Sequence, residues 1–205
     1  LSDFNVMRKG AIMAVSSERL VSMAIGEQIA GEDLGGWRMH TDTTGLVDVA
    51  VDTDEEALDA IKTFLSYLPE NHKQLPPEKP VPSGSDEIAR TVLDMLPEKR
   101  TQVDDIRRII ERIADKNSMF ELKARFGKTA TTALARLDGK TVGFIANNPM
   151  FKAGALDADG CDKSCSFMVL CDSFNIPVVF LVDNPGFVIG IDAERQKAPG
   201  KIMNF

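Results

Sequence analysis

The sequence predicts an α/β fold of two partial half-domains, and three observations carry that prediction. Strand-like and helix-like stretches alternate on both sides of a proline-rich segment; residues 178–182 are apolar without a break, as in a strand covered on both faces; and glycine-containing loops at 147–157 and 183–190 each follow a strand pattern. The strands before the two loops are read as neighbours whose loops open at the same end. Ligands of open α/β sheets bind in the crevice beyond the carboxyl ends of the strands, so these loops are the candidate site.

Residues 11–15 look like a strand. Ser16 and Ser17 then cap a helix through Leu20, Val21, Ala24 and Ile25, because a serine oxygen accepts from an orphan amide at a helix start. Gly35 and Gly36 break a short helical piece, and alternation at 46–51 gives another strand. Thr53 with Glu56 three residues on is a capping box; the helix it opens carries Leu58, Ile61, Leu65 and Leu68 as one apolar stripe. Pro69, Pro76, Pro77, Pro80 and Pro82 stand among charged residues, a composition that makes a stiff, extended connector. The expected organisation is a first half-domain over 1–68, a connector over 69–100 and a second half-domain over 101–205. No sequence repeat relates the halves.

In the second half, Val103, Ile106, Ile109, Ile110 and Ile113 mark an amphipathic helix beginning near Thr101. Strands at 129–137 and 140–147 flank Asp138 and Gly139, a dipeptide suited to the positive φ angles of a tight hairpin. A crossover helix at 159–174, with Cys165, Met168, Val169 and Phe174 at helical spacing, leads to the apolar strand at 178–182.

Bulk properties exclude some functions. With 205 residues, 43% hydrophobic, the chain has ordinary globular composition. A net charge of -7 and no basic block argue against nucleic acid, whose sequence-independent affinity rests on clustered Lys and Arg. Apolar runs such as 178–182 fall far short of the roughly 20 residues that cross a bilayer, so no membrane span is expected. Cys161, Cys165 and Cys171 lie close together with no signal peptide before them, which suits a reducing cytosol or organelle matrix. Cys161 and Cys165 are four apart on the helix, but the only histidines, His40 and His72, are distant in sequence, so core packing outweighs metal binding. The chain starts at Leu1 and stops after a glycine loop, where a helix should be starting, and reads as a segment of a longer protein.

The loops hold little side-chain chemistry. In the first, the small residues Ala153, Gly154 and Ala155 let a ligand approach backbone amides, and such amides bind oxyanions; a turn that only joins strand to helix has the same composition. Lys152 either attracts an anion or is simply solvated. In the second, Pro185 and Gly186 make a turn, Phe187 offers a flat apolar surface and Gly190 permits another bend. Gly190 is followed by Ile191 and Asp192, so this is no phosphate loop, and neither a dinucleotide fingerprint nor a nucleophile elbow occurs. Asp157 and Asp183 are acids or bases by chemistry, and caps or turn residues by position.

The blocks Ser-Ser-Glu-Arg-Leu-Val-Ser-Met-Ala-Ile-Gly-Glu-Gln-Ile (16–29), Leu-Gly-Gly-Trp-Arg-Met-His (34–40), Thr-Thr-Gly (43–45) and Phe-Leu-Ser-Tyr-Leu-Pro (64–69) are followed by Arg-Leu-Asp-Gly-Lys-Thr-Val-Gly-Phe-Ile-Ala-Asn-Asn-Pro (136–149), Gly-Ala-Leu-Asp (154–157), Cys-Asp-Ser-Phe-Asn-Ile-Pro (171–177) and Val-Asp-Asn-Pro-Gly-Phe (182–187). In order and spacing they resemble the carboxyltransferase (beta) subunit of biotin-dependent acyl-CoA carboxylases of the propionyl-CoA carboxylase type. The resemblance implies crotonase-like (ClpP/crotonase) ββα units, the first blocks closing an N-terminal domain and the later ones opening a C-terminal domain.

It also implies an activity: carboxyl transfer from carboxybiotin, carried on a partner protein, to the α-carbon of an acyl-CoA thioester. Backbone amides would stabilise the enolate in the N domain and the biotin ureido oxyanion in the C domain. Those amide pairs would lie before Leu1 and after Phe205, leaving no catalytic residue in this chain and making the isolated segment inactive. Gly154, Ala155, Gly186, Phe187 and Gly190 carry over as wall residues near the biotin or acyl end. The implied partners are a biotin carboxylase, a biotin carboxyl carrier subunit and further copies of the chain. Asn184 stands where many relatives carry threonine. A biotin-dependent acyl-CoA decarboxylase subunit and a non-catalytic scaffold are the alternatives; a crotonase hydratase is disfavoured because this sequence has no glutamate pair on suitable loops for water addition.

Overall fold

The computed structural model describes residues 2–95 and 104–205. Contacts divide the chain into two compact units, Leu1–Thr63 and Phe64–Phe205. In the first, β1 (Val6–Arg8) pairs in parallel with β2 (Val49–Val51), Val6 opposite Val49. Between them in sequence come α1 (Glu18–Ile25), α2 (Gly31–Gly35) and a π-helical turn (Met39–Thr43), and α3 (Asp54–Leu65) follows β2.

Residues 11–15 are not the expected strand. The strand is three residues, Val6–Arg8, and after the turn at Gly10 (φ 88°) the apolar run has no ladder partner among the described residues; instead Met13 donates to the Gly35 carbonyl and its own carbonyl meets His40 Nε2. Apolar composition makes a strand only where a second strand lies alongside. The caps, which need only near neighbours, form as expected. Ser17 Oγ accepts from the Leu20 amide at 3.3 Å. Thr53 Oγ1 accepts from the Glu56 amide at 3.1 Å, while Glu56 Oε2 accepts from Thr53 at 3.4 Å and Asp52 at 2.8 Å. Thr53→Ala is expected to cost about 1 kcal/mol of stability, read from the midpoint of urea unfolding, with Thr53→Ser near wild type. Of the expected stripe, Leu58, Ile61 and Leu65 on α3 are exposed, while Leu68 is buried but lies beyond the helix end; on α3 itself Phe64 is the covered residue, so helical spacing located the helix but not its buried face.

The second unit runs through α4 (Ser85–Arg90), a 3₁₀ turn (Val92–Met95), α5 (Ile106–Ile113), β3 (Phe120–Leu122), β4 (Ala130–Leu137), β5 (Lys140–Asn147), a 3₁₀ turn (Lys152–Gly154), α6 (Ala158–Ser173), β6 (Val178–Leu181), α7 (Ile191–Arg195) and α8 (Ala198–Asn204). Thr101 and Val103, expected at the start of the amphipathic helix, lie outside the described residues. Residues 69–82 carry neither helix nor strand. They lie along this unit: Lys79 donates to the Gly139 carbonyl at 2.9 Å, and Asn175 Nδ2 donates to the His72 and Gln74 carbonyls.

The sheet has the order β3-β4-β5-β6, antiparallel twice and then parallel. Asp138 (φ 52°) and Gly139 (φ 77°) turn β4 into β5, and the buried Asp115 carboxylate accepts both turn amides at 3.1 and 2.8 Å. Both hairpin strands are buried nearly end to end, because α5 and α6 cover opposite faces. Ile106, Ile110 and Ala114 pack against Ala135, Val142, Phe144 and Ala146; on the other face, α6 sets Phe167 and Cys171 against Gly143.

Two burial expectations are corrected. β6 is the edge of the sheet, not a strand covered on both faces, and Phe180 is 46% exposed. The face that α6 buries is Cys161, Ser164, Phe167 and Cys171, with Lys163, whereas Val169 is exposed and Cys165, Met168 and Phe174 are half-buried. Polar residues occupy this face because each finds an acceptor: Ser164 donates to the Gly160 carbonyl at 2.8 Å, and Lys163 Nζ to the Ala130 and Phe126 carbonyls at 2.8 and 3.1 Å.

Candidate functional site

β5 and β6 run parallel with Ala146 opposite Leu181, so the loops that follow them leave the same end of the sheet. They are joined further on by a short parallel bridge: Leu156 donates to the Gly186 carbonyl at 3.1 Å and Val188 to the Leu156 carbonyl at 2.8 Å, setting Leu156 beside Phe187. Gly154, Ala155, Gly186 and Phe187 therefore share one place. Gly190 follows as the N-cap of α7.

The first loop is wound in an uncommon conformation. Lys152 (φ 50°), Ala153 (φ 52°) and Gly154 (φ 84°) are consecutive left-handed residues, which costs of order 1 kcal/mol at each non-glycine and persists only where neighbours over-determine it. The neighbours are visible. Lys152 Nζ pairs with Asp157 Oδ2 at 2.7 Å across the turn, and Asp157 Oδ1 caps α6 by accepting from Gly160 and from the Thr129 hydroxyl, each at 2.8 Å. Burial pulls the Asp157 carboxyl upward, but the Lys152 ammonium, the Gly160 amide and the Thr129 hydroxyl outweigh it and hold the group below the usual carboxylate value. Asp157 is thus a cap and clamp, and Lys152 is its partner instead of a free cation.

The amides of this loop are already engaged. Gly154 donates to Phe151 and Ala155 to Lys152, at 3.0 and 3.1 Å, and Gly186 donates to Asn184 Oδ1 at 2.8 Å. The small residues have a different geometric reason: a Cβ on Gly154 would stand 2.9 Å from Asn147 Nδ2 and 3.1 Å from the Asp183 carbonyl. By contrast, a Cβ on Gly186 or Gly190 meets nothing within 4 Å, so φ values of 136° and 121° are what select glycine there. Phe187 is 38% exposed beside the open Gly186.

Asn147 and Thr129 were not singled out by sequence, since an Asn ending a strand and a Thr opening one are ordinary there. Both are buried. Lys163 was missed as well: burial lowers its pKa to about 7.

The fold and this loop pair define a class first. The chain has the architecture of crotonase-like carboxyltransferases: it superposes with a TM-score of 0.90 and 30% identity on transcarboxylase 12S, a hexamer solved with hydrolysed methylmalonyl-coenzyme A bound, covering 99% of this chain and 40% of that one. Residues 1–198 match the carboxyl transferase domain, and the chain belongs to that family. It is 40% identical to the uncharacterized carboxylase YngE of Bacillus subtilis (strain 168) over 196 residues, 94% of this chain and 38% of that protein. It is 36% identical over 197 residues to the propionyl-CoA carboxylase carboxyltransferase subunit of Haloferax mediterranei, 96% of this chain and 38% of that subunit. The chain thus spans about two fifths of the relatives it matches.

Proposed function

We propose that this chain is part of the carboxyltransferase component of a biotin-dependent acyl-CoA carboxylase that acts on a short acyl-CoA of the propionyl or acetyl type. The observation that carries the reading is the family match over residues 1–198, sharpened by 36% identity across nearly the whole chain to a propionyl-CoA carboxylase carboxyltransferase subunit. The partners are a biotin carboxylase, a biotin carboxyl carrier and other copies of the chain; the hexameric 12S relative supports the last of these. Carboxybiotin supplies the carboxyl group, and the acyl-CoA thioester is the acceptor.

Within that reaction, the residues of this chain shape and dry the cleft. Phe187 presents an apolar ring where Gly186 leaves open space, which fits a flat ligand ring; Gly154 and Ala155 form the facing wall, and Gly190 lets the chain bend away into α7. Excluding water there keeps the transferred carboxyl group from being lost to hydrolysis. Among the described residues no helix is long and apolar enough to cross a membrane.

The test uses the full-length gene product with biotin carboxylase, biotinylated carrier, ATP, radiolabelled bicarbonate and a series of acyl-CoAs. Acid-stable label in the acyl-CoA is expected, with propionyl- or acetyl-CoA preferred. A folded enzyme that labels none of them would end the reading. Because the loop amides of Gly154, Ala155 and Gly186 donate internally, they are not free to hold a developing oxyanion. The purified 205-residue chain by itself is accordingly expected to show no transfer in the same assay, and label above background would contradict this.

A further inference from the structure

We infer that Asn147 is a positioning residue for carboxyl transfer, its carboxamide setting the register of the two loops; the inference rests on the function proposed above. β5 ends at Asn147, one residue past the last ladder pair, Ala146 with Leu181. From there the ladder stops, and the next backbone bridge between the two chains is Leu156 with Phe187. In the gap, Asn147 spends both ends of its side chain on the main chain of one residue of the other loop: Oδ1 accepts from the Asp183 amide at 2.7 Å, and Nδ2 donates to the Asp183 carbonyl. The side chain thereby stands in for the next rung of the ladder.

A second observation places the wall residue on this clamp. Gly154 packs so closely on Asn147 Nδ2 and the Asp183 carbonyl that a Cβ would meet them at 2.9 and 3.1 Å. Loop one therefore rests on the same carboxamide that holds loop two. The strands themselves do not need it, since four ladder pairs join β5 to β6. What it sets is the spacing between Gly154 and the turn Pro185–Gly186, and misplacing a reacting group by about 1 Å costs of order 100-fold in rate.

The experiment measures carboxyl transfer between biotin and acyl-CoA by the full-length enzyme carrying Asn147→Ala, Asn147→Asp or Gly154→Ala, beside Ile110→Val as a control in the α5 core. Asn147→Asp keeps the acceptor for the Asp183 amide but sets a carboxylate against the Asp183 carbonyl. For both Asn147 variants kcat/KM for biotin is expected to fall at least tenfold while KM for the acyl-CoA changes less than twofold. Ile110→Val is expected to lower Tm yet keep wild-type kinetics well below it. Asn147→Ala with Gly154→Ala should lose less than the product of the single losses, because both act on one contact. Wild-type kinetics in both Asn147 variants, or losses that track Tm in the control as well, would overturn the inference. An inactive wild-type enzyme would remove the proposed function and this inference together, an outcome told apart by the unmutated sample.

Discussion

Between pH 7 and pH 8.5 the stability of this chain is expected to rise with pH, and Lys163 to be the cause. The side chain is 1% exposed, on the face of α6 against β4, and its ammonium has two carbonyl acceptors, with no hydrogen-bonded carboxylate among the described residues. Burial, the largest influence, lowers its pKa to about 7, against an ordinary value of 10.5. In this window the unfolded chain therefore holds a proton that the folded chain is shedding. More protons on the unfolded state means stability grows with pH, by up to about 1.4 kcal/mol per pH unit for one group. Going down in pH, the loss levels off below about 7, where the folded group takes its own proton and the two states no longer differ.

The window closes at the top for a separate reason. Burial raises Cys161 to about 11 and Cys171 to about 12, so above the ordinary thiol value of 9.0 the unfolded chain loses protons that the folded chain keeps, and stability falls. The comparison that isolates Lys163 is urea unfolding of wild type and Lys163→Met across the window, since the thiols contribute equally to both. The difference between them should change with pH, and a pH-independent difference would show that the ammonium is not suppressed. Its absolute size is less informative, because methionine also leaves the Phe126 and Ala130 carbonyls without their donor.

The second large effect is expected from Gly143→Val. Gly143 lies in β5 between Leu134 of β4 and Val178 of β6, and a Cβ there would stand 2.6 Å from Cys171 Sγ and 2.9 Å from the Phe167 ring. Valine adds two further methyls into that contact, so α6 must move off the sheet. It has little room to do so, because its other end is pinned where a Cβ on Gly160 would meet Thr129 Oγ1 at 2.4 Å. A loss of about 3 kcal/mol is expected, the upper end of what over-packing usually costs. Adding Cys171→Ala should recover part of it. A single variant that unfolds at the wild-type urea midpoint would mean that α6 does not seat on Gly143.

Particular residues show what was legible beforehand and why. Thr53 with Glu56, Ser17 before α1, and Asp138-Gly139 between β4 and β5 were all readable, because each works through neighbours within four positions. The two loops were readable as a pair, and Leu156 with Phe187 bridges them, while Gly190 caps the start of α7. The clamp that unites them was not. Asn147 acts on a residue 36 positions away, and nothing in its local sequence distinguishes it from an asparagine that ends any strand. The apolar runs at 11–15 and 178–182 misled in the same way: whether a run becomes a covered strand depends on what lies alongside it, and one has no partner while the other is an edge.

Alone, the order of residues determined the family, the alternation of strand and helix, and the caps and turns whose hydrogen bonds close over a few positions. Tertiary structure decided which face of α6 is inside, with Lys163 and Ser164 on it, and how Gly154 comes to rest on Asn147. The division has one physical cause. A hydrogen bond within a turn is set by local dihedral angles, whereas burial and loop register are set by segments that meet only after the sheet has formed.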